Sequence, residues 1–290
     1  MSPRTKEPRR ILAPNPSALT GAGTNSFLIG RDDVAVIDPG PDDDAHLGAI
    51  VAAAKEGGGR ITHILVTHAH RDHSAGAARL AAMTGAPVMA FGDAVSGRSA
   101  VMERLAATGM VAGGEGLDLG FRPDILLRDE ETVETEEWQI RALHLPGHCG
   151  GHLCFLLDDT LFCGDIVMAW SSTLISPPDG DLIDYFRSLE RISALAPARL
   201  LPAHGDPVTA PIDRIAELVA HRQARTAQIL AALRERPGNA QALARRIYDV
   251  SPGLLPAATR NVLSHLLALT TLGAVKTHGE IAAETTFEAL

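Results

Sequence analysis

The stretch Thr67-His68-Ala69-His70-Arg71-Asp72-His73 places three histidines and a carboxylate within six consecutive positions. Imidazole and carboxylate groups are ligands that zinc and related metals bind readily. The β-branched and apolar run 61–66 precedes the cluster, and the run 74–83 after it is typical of a helix with Ser74 as its N-cap. We therefore predict a strand-to-helix loop at the carboxyl end of a strand, where ligand crevices form in α/β sheets. The stretch indicates a metal-dependent hydrolase.

Additional ligands are expected from other loops, because one loop cannot surround two metal ions. Three later segments each offer one candidate on a glycine-flanked loop beside a short apolar run, and these candidates are His148, Asp165 and His204. The alternative interpretation of residues 67–73, a solvated polar turn after a strand, is disfavoured by the flanking segments.

Together with Ile37-Asp38-Pro39-Gly40, these segments occur in an order that resembles the metallo-β-lactamase-fold hydrolase superfamily over residues 25 to 205. The resemblance implies an α/β fold, an αββα metallo-β-lactamase sandwich, with a binuclear metal site. The ligands that it implies are His68, His70 and His148 for the first ion, Asp72, His73 and His204 for the second, and Asp165 as a bridge.

The implied chemistry is hydrolysis by a hydroxide that bridges two divalent metal ions. The ions are expected to be zinc, with manganese or iron as alternatives. No protein nucleophile is required, and Asp72 and Asp165 are the residues predicted to be catalytic. True zinc β-lactamases usually have a cysteine at the position of Asp165. The chain therefore resembles the non-lactamase branch, which includes glyoxalase II, lactonases and RNA-cleaving enzymes.

The last third of the chain predicts a small C-terminal domain. A long amphipathic helix over 211–236 ends at Pro237-Gly238, and two shorter helices and a strand follow. This order is the outline of a winged helix and resembles the β-lactamase-like protein 2 group, whose animal members resemble single-strand-specific endoribonucleases. The predicted division is a hydrolase domain 1–210, a linker helix 211–236 and a winged-helix-like domain 237–290.

Charge argues against tight binding of duplex DNA. The net charge of the chain is −9, while residues 237–290 hold four basic and four acidic side chains. Phosphate affinity is mostly electrostatic, so a neutral winged helix is a poor duplex binder. We expect this domain to act in structure, in assembly as a homodimer, or as a wall of the active-site cleft.

Three functions remain open from the sequence. Hydrolysis of a single-stranded RNA phosphodiester is the leading prediction, because of the winged-helix-like domain. A glyoxalase II-like thioesterase, or another ester or lactone hydrolase acting on a small molecule, is the first alternative. A glutathione substrate would need a basic patch, for which Arg222 and Arg225 are the candidates. The alternative of another class is a non-catalytic metal-dependent binding protein, which the complete ligand set disfavours.

Three further residues are candidates for a role near the metals. His152 follows His148 by four positions and is expected either to orient a ligand or to pack. Trp170 could stack on a base, line an apolar pocket or lie in the core. Tyr185 could donate an oxyanion hydrogen bond or only pack.

Composition bounds the remaining possibilities. No apolar run approaches the ~20 residues that span a bilayer, and the basic start 1–10 is not followed by an apolar segment typical of a signal peptide. The three cysteines show no CxxC spacing, so a disulfide framework is not expected. These features predict a cytoplasmic protein without a membrane partner.

Overall fold

The computed structural model describes residues 7–114, 116–277, 279–282 and 284–290, so the first six residues of the basic start lie outside the described part. Its strands are β1 Arg9–Leu12, β2 Asn25–Ile29, β3 Asp33–Ile37, β4 Arg60–Leu65, β5 Val88–Ala90, β6 Ile125–Leu126, β7 Thr132–Glu134, β8 Gln139–His144, β9 Leu153–Leu157, β10 Thr160–Gly164, β11 Arg199–Pro202, β12 Val275–Thr277 and β13 Phe287–Ala289. Its α-helices are α1 Asp44–Glu56, α2 Arg71–Ser74, α3 Ala77–Thr84, α4 Ala100–Ala107, α5 Leu182–Leu195, α6 Pro211–Glu235, α7 Ala240–Ile247 and α8 Leu255–Thr271.

Two sheets form the N-terminal part of the molecule. The first has the order β1-β2-β3-β4-β5-β6 and the second the order β11-β10-β9-β8-β7. Strands β1 to β3 pair antiparallel, whereas β3, β4, β5 and β6 pair parallel. In the second sheet only the pair β10 and β11 is parallel.

The two sheets face each other across an apolar core. Phe27 and Leu65 of the first sheet belong to the same buried cluster as Phe155 and Phe162 of the second, and the rings of Phe27 and Phe162 meet edge to face at 5.1 Å. Helices α1 and α3 cover the outer face of the first sheet, and α5 and α6 cover that of the second. The layers are therefore helix, sheet, sheet and helix, as in the predicted αββα sandwich.

The C-terminal part consists of α7, α8 and the hairpin β12–β13. Its core is shared with the N-terminal part, because Met102 and Leu105 of α4 and Ile229 of α6 lie in the same buried cluster as Leu266 of α8. Helix α6 therefore forms part of both cores. None of the helices in the described part of the chain could span a membrane.

The local prediction at Ser74 is wrong. The residue ends the one-turn helix α2, and α3 begins later with Gly76 at the N-cap position. The Ser74 hydroxyl donates to the carbonyl oxygen of His70 at 3.0 Å, so it stabilises the loop that carries the histidines and is not available to cap α3.

Candidate metal centre

The seven predicted ligands come from four loops that follow strands. His68 and His70 lie after β4, and Asp72 and His73 follow in α2. The other three candidates follow β8, β10 and β11, and they are His148, Asp165 and His204. All seven side chains are buried. The fold thus brings together every residue that the sequence motifs single out.

The first group of candidate ligands consists of three histidines. The Nδ1 atom of His70 lies 2.9 Å from Nε2 of His68 and 2.9 Å from Nε2 of His148. These three nitrogen atoms converge closely enough to hold one metal ion. Burial, together with the neighbouring histidines, keeps the pKa of His68 well below its usual value. Burial and His148 lower the pKa of His70 to about 3. Neutral imidazole is the form that binds a metal.

The second group of candidate ligands combines two histidines with one carboxylate, and its members are Asp72, His73 and His204. The Nε2 atom of His204 lies 3.2 Å from Oδ2 of Asp72, and Nε2 of His73 lies 3.3 Å from the same oxygen. These atoms also converge closely enough to hold an ion. Burial lowers the pKa of His204, but Asp165 and Asp72 raise it more, and the resulting pKa is about 10. This half of the centre therefore favours positive charge.

Asp165 lies between the two groups. One of its carboxylate oxygens, Oδ2, is 3.6 Å from Nε2 of His148 in the first group and 3.6 Å from Nε2 of His73 in the second. The other oxygen, Oδ1, is 3.4 Å from Nε2 of His204. A single carboxylate can therefore reach toward both groups.

Three buried atoms in the centre lack a hydrogen-bond partner within the described ranges. They are Oδ1 of Asp72, Oδ1 of Asp165 and Nε2 of His73. Buried polar atoms are nearly always paired, so such a concentration of unpaired acceptors and imidazole nitrogens needs an explanation. Divalent cations at this place would satisfy all three, and the oxygen and nitrogen donors suit zinc, manganese or iron.

Asp38 is a functional candidate that the sequence reasoning missed. Its motif, Ile37-Asp38-Pro39-Gly40, contributes to the resemblance but predicts no role for the side chain. Its Oδ2 accepts a hydrogen bond from Nδ1 of His73 at 2.9 Å. The Thr67 backbone N–H donates to Oδ1 at 2.7 Å and the Thr67 hydroxyl to Oδ2 at 2.8 Å. Asp38 therefore turns Nε2 of His73 toward the centre, a common arrangement for histidine ligands.

Backbone carbonyl groups orient two further rings. Nδ1–H of His148 donates to the carbonyl oxygen of Leu174 at 2.7 Å, and that of His204 donates to the carbonyl oxygen of Gly23 at 3.2 Å. Each bond fixes the tautomer that leaves Nε2 free for a metal.

His152 lies directly behind the candidate ligands. Its Nε2 accepts a hydrogen bond from the backbone N–H of Asp165 at 3.1 Å, and its ring stacks on His68 with centroids 4.9 Å apart. Gly164 allows this approach: its φ is 50°, and a β-carbon there would lie 2.5 Å from Nε2 of His152. His152 is thus placed to position a ligand, although it does not itself face the ion sites.

A small cavity of about 60 Å³ opens above the centre. Leu19, Met168 and Trp170 form apolar parts of its wall, and no Lys or Arg of the described segments lines it. Trp170 is 49% exposed, so it lies at the mouth and not in the core. Tyr185 is fully buried beneath the second sheet and does not line the cavity, so an oxyanion role for its phenol is wrong.

The proposed basic patch of Arg222 and Arg225 is also wrong. Arg222 is only 2% exposed. Arg225 lies over the ring of Tyr248, 3.9 Å from its centroid. Neither guanidinium lines the cavity, so the two do not form a surface for glutathione carboxylates.

Comparison with known proteins identifies the class. Residues 19–204 match the family model of the metallo-β-lactamase superfamily. Residues 240–283 match that of the β-lactamase associated winged helix domain. The chain belongs to the metallo-β-lactamase superfamily and carries the associated winged helix at its C-terminus, which confirms the predicted fold.

Two relatives and one solved structure show what the chain is similar to over most of its length. The chain is 32% identical to the Beta-lactamase-like protein 2 homolog of Drosophila melanogaster, over 90% of this chain and 86% of that protein. It is 30% identical to an atrochrysone carboxyl ACP thioesterase of Aspergillus chevalieri, over 78% of this chain and 65% of that protein. A metallo-β-lactamase family protein from Thermus thermophilus has the same fold, with a TM-score of 0.77, 24% identity and coverage of 98% of both chains.

Proposed function

We propose that the protein is a metal-dependent hydrolase of acyl thioesters or related esters, with two divalent metal ions, most suitably zinc, bound at the candidate centre. His68, His70 and His148 would hold the first ion, Asp72, His73 and His204 the second, and Asp165 would bridge them. Two ions held by these residues would supply a hydroxide near neutral pH and would polarise the scissile carbonyl group. The observation that carries the proposal is the convergence of these seven buried ligands below an apolar cavity.

Several neighbouring residues orient the candidate ligands for this reaction. Asp38 and the carbonyl groups of Gly23 and Leu174 orient the histidine rings. His152 holds the backbone of Asp165. The burial of the ligands excludes bulk water, which strengthens electrostatic interactions within the site.

The cavity favours a neutral acyl substrate over RNA. A polyanion is bound by Lys and Arg side chains along its backbone and by aromatic stacking. Among the described residues of the wall, Trp170 alone could serve this purpose. Leu19 and Met168 instead provide apolar contacts for an acyl chain. Cleavage of single-stranded RNA, the leading prediction from the sequence, is therefore not supported. The thioesterase relative agrees with the alternative that the sequence left open.

A substrate panel tests the proposal. Zinc-loaded protein is incubated with acetyl and octanoyl thioesters of N-acetylcysteamine, S-lactoylglutathione, a lactone, bis-p-nitrophenyl phosphate and single-stranded RNA, each with and without a chelator. We expect chelator-sensitive hydrolysis of the neutral thioesters, and slower hydrolysis of the glutathione thioester, because no described Lys or Arg in the wall would meet its carboxylates. Cleavage of RNA with no hydrolysis of any thioester would contradict the proposal.

A further inference from the structure

The loop 166–174 contacts the candidate ligands Asp165 and His148 on one side and helix α6 on the other. The loop 166–174 begins directly after Asp165, and we propose that Arg222 is a positioning residue that fixes this loop. Through Arg222 the winged-helix domain would support the metal centre. The inference rests on the proposed metal-dependent function, but its test does not depend on the identity of the substrate.

Thr173 is the point at which the loop is tied to the centre. Its hydroxyl lies 2.8 Å from the carbonyl oxygen of Asp165 and 2.8 Å from that of Ile166. The next carbonyl group, that of Leu174, accepts the hydrogen bond from Nδ1 of His148. A shift of the backbone at Thr173 would therefore disturb Asp165, the bridge, and His148, a ligand of the first ion.

Arg222 holds Thr173 from the side of α6. Its Nη2 donates to the carbonyl oxygen of Thr173, and its Nη1 donates to Oδ1 of Asn261. Its guanidinium carbon lies 5.7 Å from the centroid of the Tyr185 ring. No described acidic side chain forms an ion pair with Arg222. Because this buried cation is compensated only by neutral acceptors and a ring face, its geometry is set by those contacts.

Arg214 gives α6 a second contact with the same loop. Its Nε donates to the carbonyl oxygen of Met168 at 2.9 Å and its Nη2 to that of Ser171 at 2.8 Å. Arg214 and Arg222 are eight residues apart, close to two helical turns, so they project from similar sides of α6. Helix α6 therefore bonds the loop at Met168 and Ser171 through Arg214, and at Thr173 through Arg222.

Asn261 extends this connection into the C-terminal domain. It lies in α8 and its Nδ2 donates to the hydroxyl of Tyr248, the residue that follows α7. Its Oδ1 is thereby directed at Arg222. The path from the winged helix to the centre is Asn261, Arg222, Thr173, and then Asp165 and His148.

The test compares variants that keep or remove each contact. Arg222→Met removes both donors, Arg222→Lys keeps the charge and part of the bonding, Asn261→Leu removes the acceptor and Asn261→Asp keeps it. Arg225→Met is the matched control, because Arg225 lies on the same helix and contacts Tyr248 without touching the loop. Zinc affinity is measured by competition with a chelator, and the mobility of residues 166–174 by hydrogen exchange with mass spectrometry.

We expect Arg222→Met to weaken zinc binding about 10-fold and to speed exchange in residues 166–174. This is the lower end of the effect of removing a group bonded directly to a ligand, because Arg222 acts through Thr173. Arg222→Lys should recover part of the affinity. Arg225→Met should match the wild type, and Asn261→Asp, which keeps an acceptor for Arg222 but loses the donor to Tyr248, should bind zinc more tightly than Asn261→Leu. A folded Arg222→Met protein with wild-type affinity and exchange would overturn the proposal.

If Arg222→Met does not fold, the comparison of Asn261→Leu with Asn261→Asp tests the proposal instead. The proposal requires faster exchange in residues 166–174 and weaker zinc binding in this variant than in Asn261→Asp, and it fails if the two variants behave alike. Both measurements use no substrate. A wild-type protein that binds zinc but hydrolyses no thioester would therefore contradict the proposed function and leave this inference standing.

Discussion

At the scale of single residues, the histidines and carboxylates of the candidate centre are of two kinds. Some point their donor atoms into the centre, and others orient these candidate ligands from behind. The ring nitrogens of His68, His70 and His148 approach one point, while Asp38 and His152 act on ligands from behind. The pKa values of the histidines differ with their neighbours. Burial among other imidazoles lowers the pKa of His70 to about 3, whereas the adjacent carboxylates raise that of His204 to about 10.

Asp165→Ala tests the bridging role. We expect the variant to lose hydrolysis by about 100-fold or more and to bind the pair of ions weakly, since a shared carboxylate offsets the repulsion between two cations. Asp72→Ala should weaken the binding of the second ion more than that of the first. Elemental analysis and thioester hydrolysis measure both effects.

The control for Asp165→Ala is Asp206→Asn, whose carboxylate lies two residues after His204 but is 90% exposed and meets only Arg10, at 3.6 Å. This variant should behave like the wild type. Wild-type turnover and metal content in Asp165→Ala would show that the ligand assignment is incorrect.

The ligand types could be predicted from the sequence because their motifs occur in a fixed order. The orientation of the rings could not. The partners of His148 and His204 are backbone carbonyl groups of Leu174 and Gly23, and carbonyl groups carry no sequence signal. The role of Asp38 depends on two strands lying side by side, β3 before it and β4 before Thr67. The position of Tyr185 could not be predicted for the same reason, since its phenol points into a core that only the tertiary fold defines.

At the scale of elements, the contact between α6 and α8 joins the two parts of the chain. His265 of α8 is fully buried, and its Nδ1 lies 2.8 Å from the hydroxyl of Thr226 in α6. Burial, with the positive charges of Arg222 and Arg225 nearby, lowers the pKa of His265 to about 3. The folded protein therefore holds this residue neutral over most of the acid range.

We expect this contact to make the fold sensitive to acid. Below pH 6.5 the unfolded chain binds a proton at His265 that the folded chain does not, so stability falls as the pH drops toward the folded pKa of about 3. Between pH 7.5 and 5.0 this one residue should cost about 2 kcal/mol of unfolding free energy. Denaturant unfolding at the two pH values measures the loss.

His265→Gln should lower that acid-induced loss, even if the variant is less stable at pH 7.5. His221→Gln is the control for a more exposed histidine on α6. Because the charge of His221 is the smallest of the causes that lower the pKa of His265, this variant should keep most of the acid-induced loss. An equal fall in stability with pH for wild type and His265→Gln would show that His265 does not carry the effect.

At the scale of the whole molecule, the C-terminal domain shares a hydrophobic core with the rest of the chain. Its core contains Met102 and Leu105 from the hydrolase part, and α6 contributes to both cores. Removal of residues 237–290 would expose this apolar surface and leave Arg222 without Asn261. The sequence shows where the helices of the last third lie, but the presence of Met102 and Leu105 of the short helix α4 in the same core depends on tertiary structure.

The central claim is that the seven convergent side chains form a binuclear metal centre. Elemental analysis of the pure protein, after saturation with zinc and removal of loosely bound metal, tests it most directly. The account predicts two zinc ions per chain. A protein that binds one ion at saturation, or that stays free of metal after refolding with zinc, would contradict it.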